Sequence, residues 1–236
     1  MKKLLERYLI GECTAVWAEI MTISIPSGDN ILDTEIRGIV YNAMSRIRQN
    51  IILLIPRLEQ IGFHFGAGFL ENVPDTERRD ILSNLPFYAG PVPQCASLLN
   101  ELEAMVGSIP LSVRAWYEVV GSINLVGKMP NWNQHTGRYG LDPLFIYPLP
   151  TVLQMIQQYH DMMVWDKDPT LALSPDSFYK SSESGDGSYA ITLPAATVDV
   201  ALLNEWHHIT FVEYLRLCLR WGGMPGLELT PDPPLQ

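Results

Sequence analysis

The chain has 236 residues, 47% of them hydrophobic and 18% charged, with a net charge of −10. This composition argues against disorder and fits one large domain, or a domain with an elaboration, able to bury a core without staples. The acidic balance argues against a nucleic-acid partner, because such a field repels phosphates.

Cys13, Cys95 and Cys218 are far apart and odd in number, which points away from a disulfide framework and toward a reducing compartment. Lys2 and Lys3 precede Leu4 and Leu5, but Glu6, Arg7 and Glu12 interrupt any apolar run, so no signal peptide is expected. The apolar stretch Ile51–Ile55 is too short to span a bilayer. A soluble, cytoplasmic protein without membrane association is expected.

In chain order, a first helix is expected from about Lys3 to Thr22, carrying Leu5, Leu9, Val16, Trp17 and Ile20. The turn Pro26-Ser27-Gly28-Asp29-Asn30 follows. From Ile36, apolar residues recur at Ile39, Val40, Ala43, Met44, Ile47, Ile51, Leu54, Leu58 and Ile61, the stripe of an amphipathic helix. Pro56 should kink it and Gly62 end it. The two helices form an antiparallel hairpin whose stripe must be buried against something. A short helix is expected over 72–85, another from about Pro93 to Val106, and a third over Leu111–Val120 between Pro110 and Gly121.

After Gly121 the pattern changes to short strand-like runs: 123–126, 144–147, Thr170–Leu173 and Tyr189–Leu193. Residues 149–164 are long enough to favour a helix. Thr210-Phe211-Val212-Glu213 is a capping-box signature, followed by the apolar line Val212, Leu215 and Leu219 and the stop Gly222-Gly223. Helices first, then a meander of short antiparallel strands, then a closing C-terminal helix define an α+β fold. The expected regions are a helical part over 1–92, which packs on the same core or stands apart, an α+β domain over 93–227, and a flexible tail over 228–236.

No catalytic constellation is legible. Among His64, His135, His160, His207 and His208, none sits in a metalloprotease frame or at zinc spacing with a cysteine. His207-His208 reads as a structural helix entry. Ser184-Gly185-Asp186-Gly187-Ser188 lacks the frames of a nucleophile elbow and of a phosphate loop, and reads as a hairpin turn. Asp166, Asp168 and Asp176 lack the ladder of a calcium loop. Cys13 and Cys218 read as core residues, and Trp132 as an aromatic tucked onto the core or an interface anchor. No metal and no cofactor are expected.

Charge is unevenly placed. Residues 1–60 balance seven acids with seven bases. Residues 161–205 hold eight acids (Asp161, Asp166, Asp168, Asp176, Glu183, Asp186, Asp199 and Glu205) against Lys167 and Lys180, a local charge of −6. Such a segment is either a solvated face or a surface that steers a basic protein partner.

The stretch Ile109-Pro110-Leu111-Ser112-Val113-Arg114-Ala115-Trp116-Tyr117-Glu118-Val119-Val120-Gly121-Ser122 resembles the proline-initiated, glycine-terminated helix of the SUKH superfamily, which feeds the first strand of a sheet. The downstream layout, through 142–149 to the closing helix 211–221, is similar to that family's meander and terminal helix. The resemblance covers about residues 93–227. Gly121-Ser122 stands where the family has Gly-Gly, and Trp116 where a smaller aromatic is common. The resemblance implies a non-enzymatic immunity-type protein that binds and neutralises a cognate toxin, a nuclease being the natural basic partner. It fixes no binding residues. Charge alone nominates Asp166, Asp168, Asp176, Glu183 and Asp186 for partner binding. Two other readings stand beside it: an interaction module that homodimerises through the N-terminal hairpin, and a hydrolase, which would need a histidine meeting a carboxylate or cysteine in a pocket.

Overall fold

The computed structural model describes residues 3–23, 31–66, 87–128, 141–161, 169–181, 185 and 187–229. The expected helix over 72–85, Trp132 and His135 lie outside these residues.

The N-terminal helix is two helices. α1 (Leu4–Leu9) and α2 (Cys13–Met21) are separated at Gly11, whose φ of 110 no L side chain adopts readily. α3 (Ile31–Gln60) then runs for 30 residues. It continues through Pro56 because Pro56 and Ile52, whose carbonyl loses its donor, both face solvent. Its stripe is buried at Ile36, Ile39, Val40, Ala43, Met44, Ile47, Ile51 and Leu58, while Ile61 is exposed.

β1 (His64–Phe65) and β2 (Tyr88–Ala89) lead to α4 (Cys95–Val106). The left-handed Gln94 (φ 62) caps α4, so Pro93 lies in the preceding turn rather than at the first helical position. α5 (Leu111–Ala115) passes directly into a π-helical turn, Trp116–Val120, closed by Gly121 N–H donating to Trp116 O at 2.9 Å. The wider turn sends Trp116, Tyr117 and Val120 all into the core. Gly121 (φ 100) is obligatory here: an added Cβ would lie 2.2 Å from the Ala89 carbonyl oxygen.

β3 (Ser122–Asn124), β4 (Gly127–Lys128) and β5 (Phe145–Ile146) follow, then α6 (Leu149–Asp161), β6 (Thr170–Ser174), α7 (Ser177–Lys180), β7 (Tyr189–Thr192), α8 (Phe211–Arg220) and a 3-10 helix, Pro225–Leu229. Among the described residues the strands do not form one meander. They make three small antiparallel sheets, β1–β4, β2–β3–β5 and β6–β7. The strands are only two to five residues long, and helices intervene between partners: α4 and α5 between β1 and β4 and between β2 and β3, and α7 between β6 and β7. The fold is α+β, with helices at the N-terminal end, short antiparallel sheets and a C-terminal helix.

α8 carries both expected end signals. Thr210 Oγ1 accepts from Glu213 N–H, and the Glu213 carboxylate accepts from Thr210 N–H, completing the capping box. At the other end, Gly222 is left-handed (φ 61) and Gly223 N–H donates to Cys218 O at 2.7 Å, a Schellman closure.

One contiguous core joins α1–α3 to the rest of the chain. α3 packs on α1, α5, the π turn and α8. Tyr41 donates to the Glu118 carboxylate, and Arg48 Nε donates to Tyr88 OH at 3.0 Å. The α3 stripe is therefore largely buried inside the chain. Glu228 and Leu229, expected in a flexible tail, belong to the 3-10 helix, and residues 230–236 lie outside the described residues.

Candidate functional site

Of the eight acids in the segment 161–205, three have described side chains, and all three are buried. Asp176 is buried and caps α7, its Oδ1 accepting from Phe178 N–H at 2.9 Å and Tyr179 N–H at 3.0 Å. Asp199 and Glu205 are buried as well. Of the five residues nominated for partner binding, Asp176 is thus a helix cap rather than a surface carboxylate. Asp166, Asp168, Glu183 and Asp186 lie outside the described residues, as does Lys167.

Lys180, the segment's other cation, is wholly buried. Its Nζ lies 2.7 Å from Asp142 Oδ1, with both side chains fully shielded, and donates to Tyr214 OH at 3.2 Å. The ammonium also sits 4.5 Å from the Tyr189 ring centroid. Burial raises the Tyr189 and Tyr214 phenols well above their ordinary range, so both stay neutral.

Asp199 joins the starts of two helices. Its Oδ1 accepts from Ser112 Oγ at 2.7 Å and its Oδ2 from Val212 N–H at 3.2 Å. Burial pushes its pKa up to about 6, against the opposing pull of the Ser112, Thr210 and backbone hydrogen bonds. A carboxyl raised in the folded state binds its proton more tightly there than in the unfolded chain. Its contribution to stability is therefore present at low pH and is lost as pH rises from about 4 to about 6. The stability difference between wild type and Asp199→Asn should fall by about 3 kcal/mol across that window and stay flat above it. Urea titrations at several pH values check this, and a difference independent of pH would contradict it.

Ser112 and Arg114 belong to the stretch that resembles SUKH proteins, and both serve packing. Arg114 bridges Glu103 at 2.5 Å and Glu118 at 3.1 Å, tying α4 to the π turn. The thiols are poor nucleophiles. Burial raises the Cys95 thiol and raises Cys218 strongly. Cys13 is only partly buried; its Sγ donates to Tyr8 O and accepts from Arg46, each at 3.4 Å.

His207 does meet carboxylates. Nδ1 lies 2.5 Å from Glu205 Oε1 and Nε2 lies 2.6 Å from Glu228 Oε1. Both ring nitrogens thereby face carboxylates. Among the described residues no group of three or more His, Cys, Asp or Glu side chains is arranged to hold a metal ion. Sequence reasoning missed this bridge because Glu228 lies twenty-one residues downstream.

An open groove lies elsewhere among the described residues. Between α1 and the start of α3 lies a groove of about 500 Å³. Leu5, Leu9 and Ile10 give it an apolar wall, and Leu9 and Ile10 stand 60% and 58% exposed. Glu6 and Glu35 edge it, against one cation, Lys3. Leu9 was assigned to a buried stripe from sequence; the break at Gly11 turns it and Ile10 outward.

No family model, no curated protein and no solved structure matches the chain. Among the described residues no helix is long and apolar enough to cross a membrane.

Proposed function

We propose that the chain is a non-enzymatic, cytoplasmic protein-binding protein, of the immunity type that its resemblance to SUKH proteins implies, and that it receives a basic amphipathic segment of its partner in the groove between α1 and α3. The observation that carries this reading is the exposure of Leu9 and Ile10 beside that groove. Covering an exposed aliphatic side chain completely gains about 1.5–3 kcal/mol, so two adjacent ones are a natural anchor. The rim of Glu6 and Glu35 and the net charge of −10 favour a cationic flank on the partner. The engaged nitrogens of His207 and the buried thiol of Cys218 support the non-enzymatic part.

The test is capture of a partner by purified protein from the source cells, followed by anisotropy titration of a peptide covering the partner's basic segment. The double variant Leu9→Glu/Ile10→Glu should weaken peptide binding at least about tenfold, the loss expected for one buried anchor. Ile52→Glu, on an exposed apolar position of α3, should leave binding unchanged. Capture indifferent to the Leu9/Ile10 charges, or no capture, overturns the assignment. So does a homodimer in sedimentation that the double variant dissolves, which would give the groove to a second copy.

A further inference from the structure

The turn Asn204–His208 enters α8 through two left-handed residues, Asn204 (φ 63) and His208 (φ 56), and is closed by His208 N–H donating to Glu205 O at 3.1 Å. This fixes His207 between two carboxylates of unequal surroundings. Glu205 is completely buried and also accepts from His207 N–H at 3.0 Å. The Glu228 side chain is 24% exposed and rides on the 3-10 helix Pro225–Leu229. The Trp206 ring lies against the imidazole, centroids 3.5 Å apart.

A neutral imidazole has one N–H. It donates to one carboxylate and turns a lone pair toward the other. Only the imidazolium donates to both, through two charge-assisted hydrogen bonds. We infer that His207 is a proton-operated latch: as the imidazolium it ties the C-terminal 3-10 helix to the body of the fold, and on losing a proton it releases Glu228 and loosens residues 225–229.

The asymmetry decides which bond breaks. Glu205 has no access to water and keeps its backbone donor, so the remaining ring proton stays on Nδ1. Glu228 can be hydrated as it leaves. The other ionisable groups near Glu205 do not compete. Tyr189 on β7 and Cys218 on α8 feel its charge but are held neutral by burial. Behind them Lys180 and Asp142 satisfy each other. The latch is closed while both carboxylates are ionised and the ring is charged. It opens on the alkaline side by ring deprotonation and on the acid side by carboxylate protonation.

After release, the 3-10 helix keeps the Gly226 N–H to Leu141 O bond at 3.1 Å, the Leu227 N–H to Met224 O bond at 3.0 Å and the burial of Pro225, Gly226 and Leu227. Hydrogen exchange of the full chain, read by mass spectrometry over residues 225–229 and corrected for intrinsic rate, tests the latch. The His207 ring titration is followed in parallel by NMR. Protection of 225–229 should drop at least about tenfold through that titration, the worth of one charge-assisted hydrogen bond, while α8 stays protected. Glu228→Gln should abolish the step, because an amide can donate to the neutral ring or accept from the charged one. His207→Gln should leave the segment open at every pH. Protection that is constant through the titration, that falls together with α8, or that keeps its step in Glu228→Gln overturns the latch.

Discussion

Replacing Lys180 with methionine is expected to lower the unfolding free energy by about 3–5 kcal/mol, because it leaves the Asp142 carboxylate buried without its cation. Asp142 cannot escape to water. Its own backbone is left-handed (φ 47), and Leu144, two residues on, donates to Gly223 O at 2.7 Å. The double variant Lys180→Met/Asp142→Asn should recover most of the loss, since the cost lies in the uncompensated charge rather than in the absent pair. Urea denaturation of the two single variants and the double variant closes the cycle. A Lys180→Met penalty below about 1 kcal/mol would mean that Asp142 is neutral or hydrated and that the pair holds nothing.

Trp116→Ala should cost a similar amount, about 3–5 kcal/mol, by emptying the largest fully buried side chain. Trp116 sits at the head of the π turn, edge-on to Phe211 of α8, centroids 5.8 Å apart. Its indole nitrogen finds no acceptor among the described residues, so nothing polar is lost with it. Trp116→Phe keeps a ring against Phe211 and should cost well under half as much, about 1–2 kcal/mol. Equal penalties for Ala and Phe would show that the indole nitrogen, rather than the ring volume, matters.

What was legible in the sequence was whatever local pattern decides. The α3 stripe was readable because steps of three and four admit one helix face. The ends of α8 were readable because Thr210, Glu213 and Gly223 each satisfy a terminal backbone group within a few residues, and Gly222 supplies the left-handed turn between. The split of the first helix was missed because it rests on a single glycine, Gly11, in a run otherwise fit for helix. The π turn was invisible, since one extra residue in a turn leaves the apolar spacing almost unchanged. The burial of single carboxylates was not legible. Asp176, Asp199 and Glu205 contribute to the local charge of −6, yet each is buried with a specific donor: a helix start, a serine hydroxyl or an imidazole. Net charge over a window cannot show which carboxylates face water, because their partners come from distant parts of the chain. Ser112 lies 87 residues from Asp199, and Lys180 lies 38 from Asp142.

The position of α3 also governs the order in which the molecule can be completed. Its apolar stripe is made before residue 61, but two of the elements that cover it, the π turn and α8, start at 116 and 211. At a synthesis rate of about 5–20 residues per second, roughly 8–30 s separate the end of α3 from the start of α8. Throughout that interval the nascent chain carries the part of the stripe that α8 covers without its cover, while α1 and later the π turn can already shelter the rest. A helix sealed in part by an element made about 150 residues later cannot complete its packing until that element has left the ribosome.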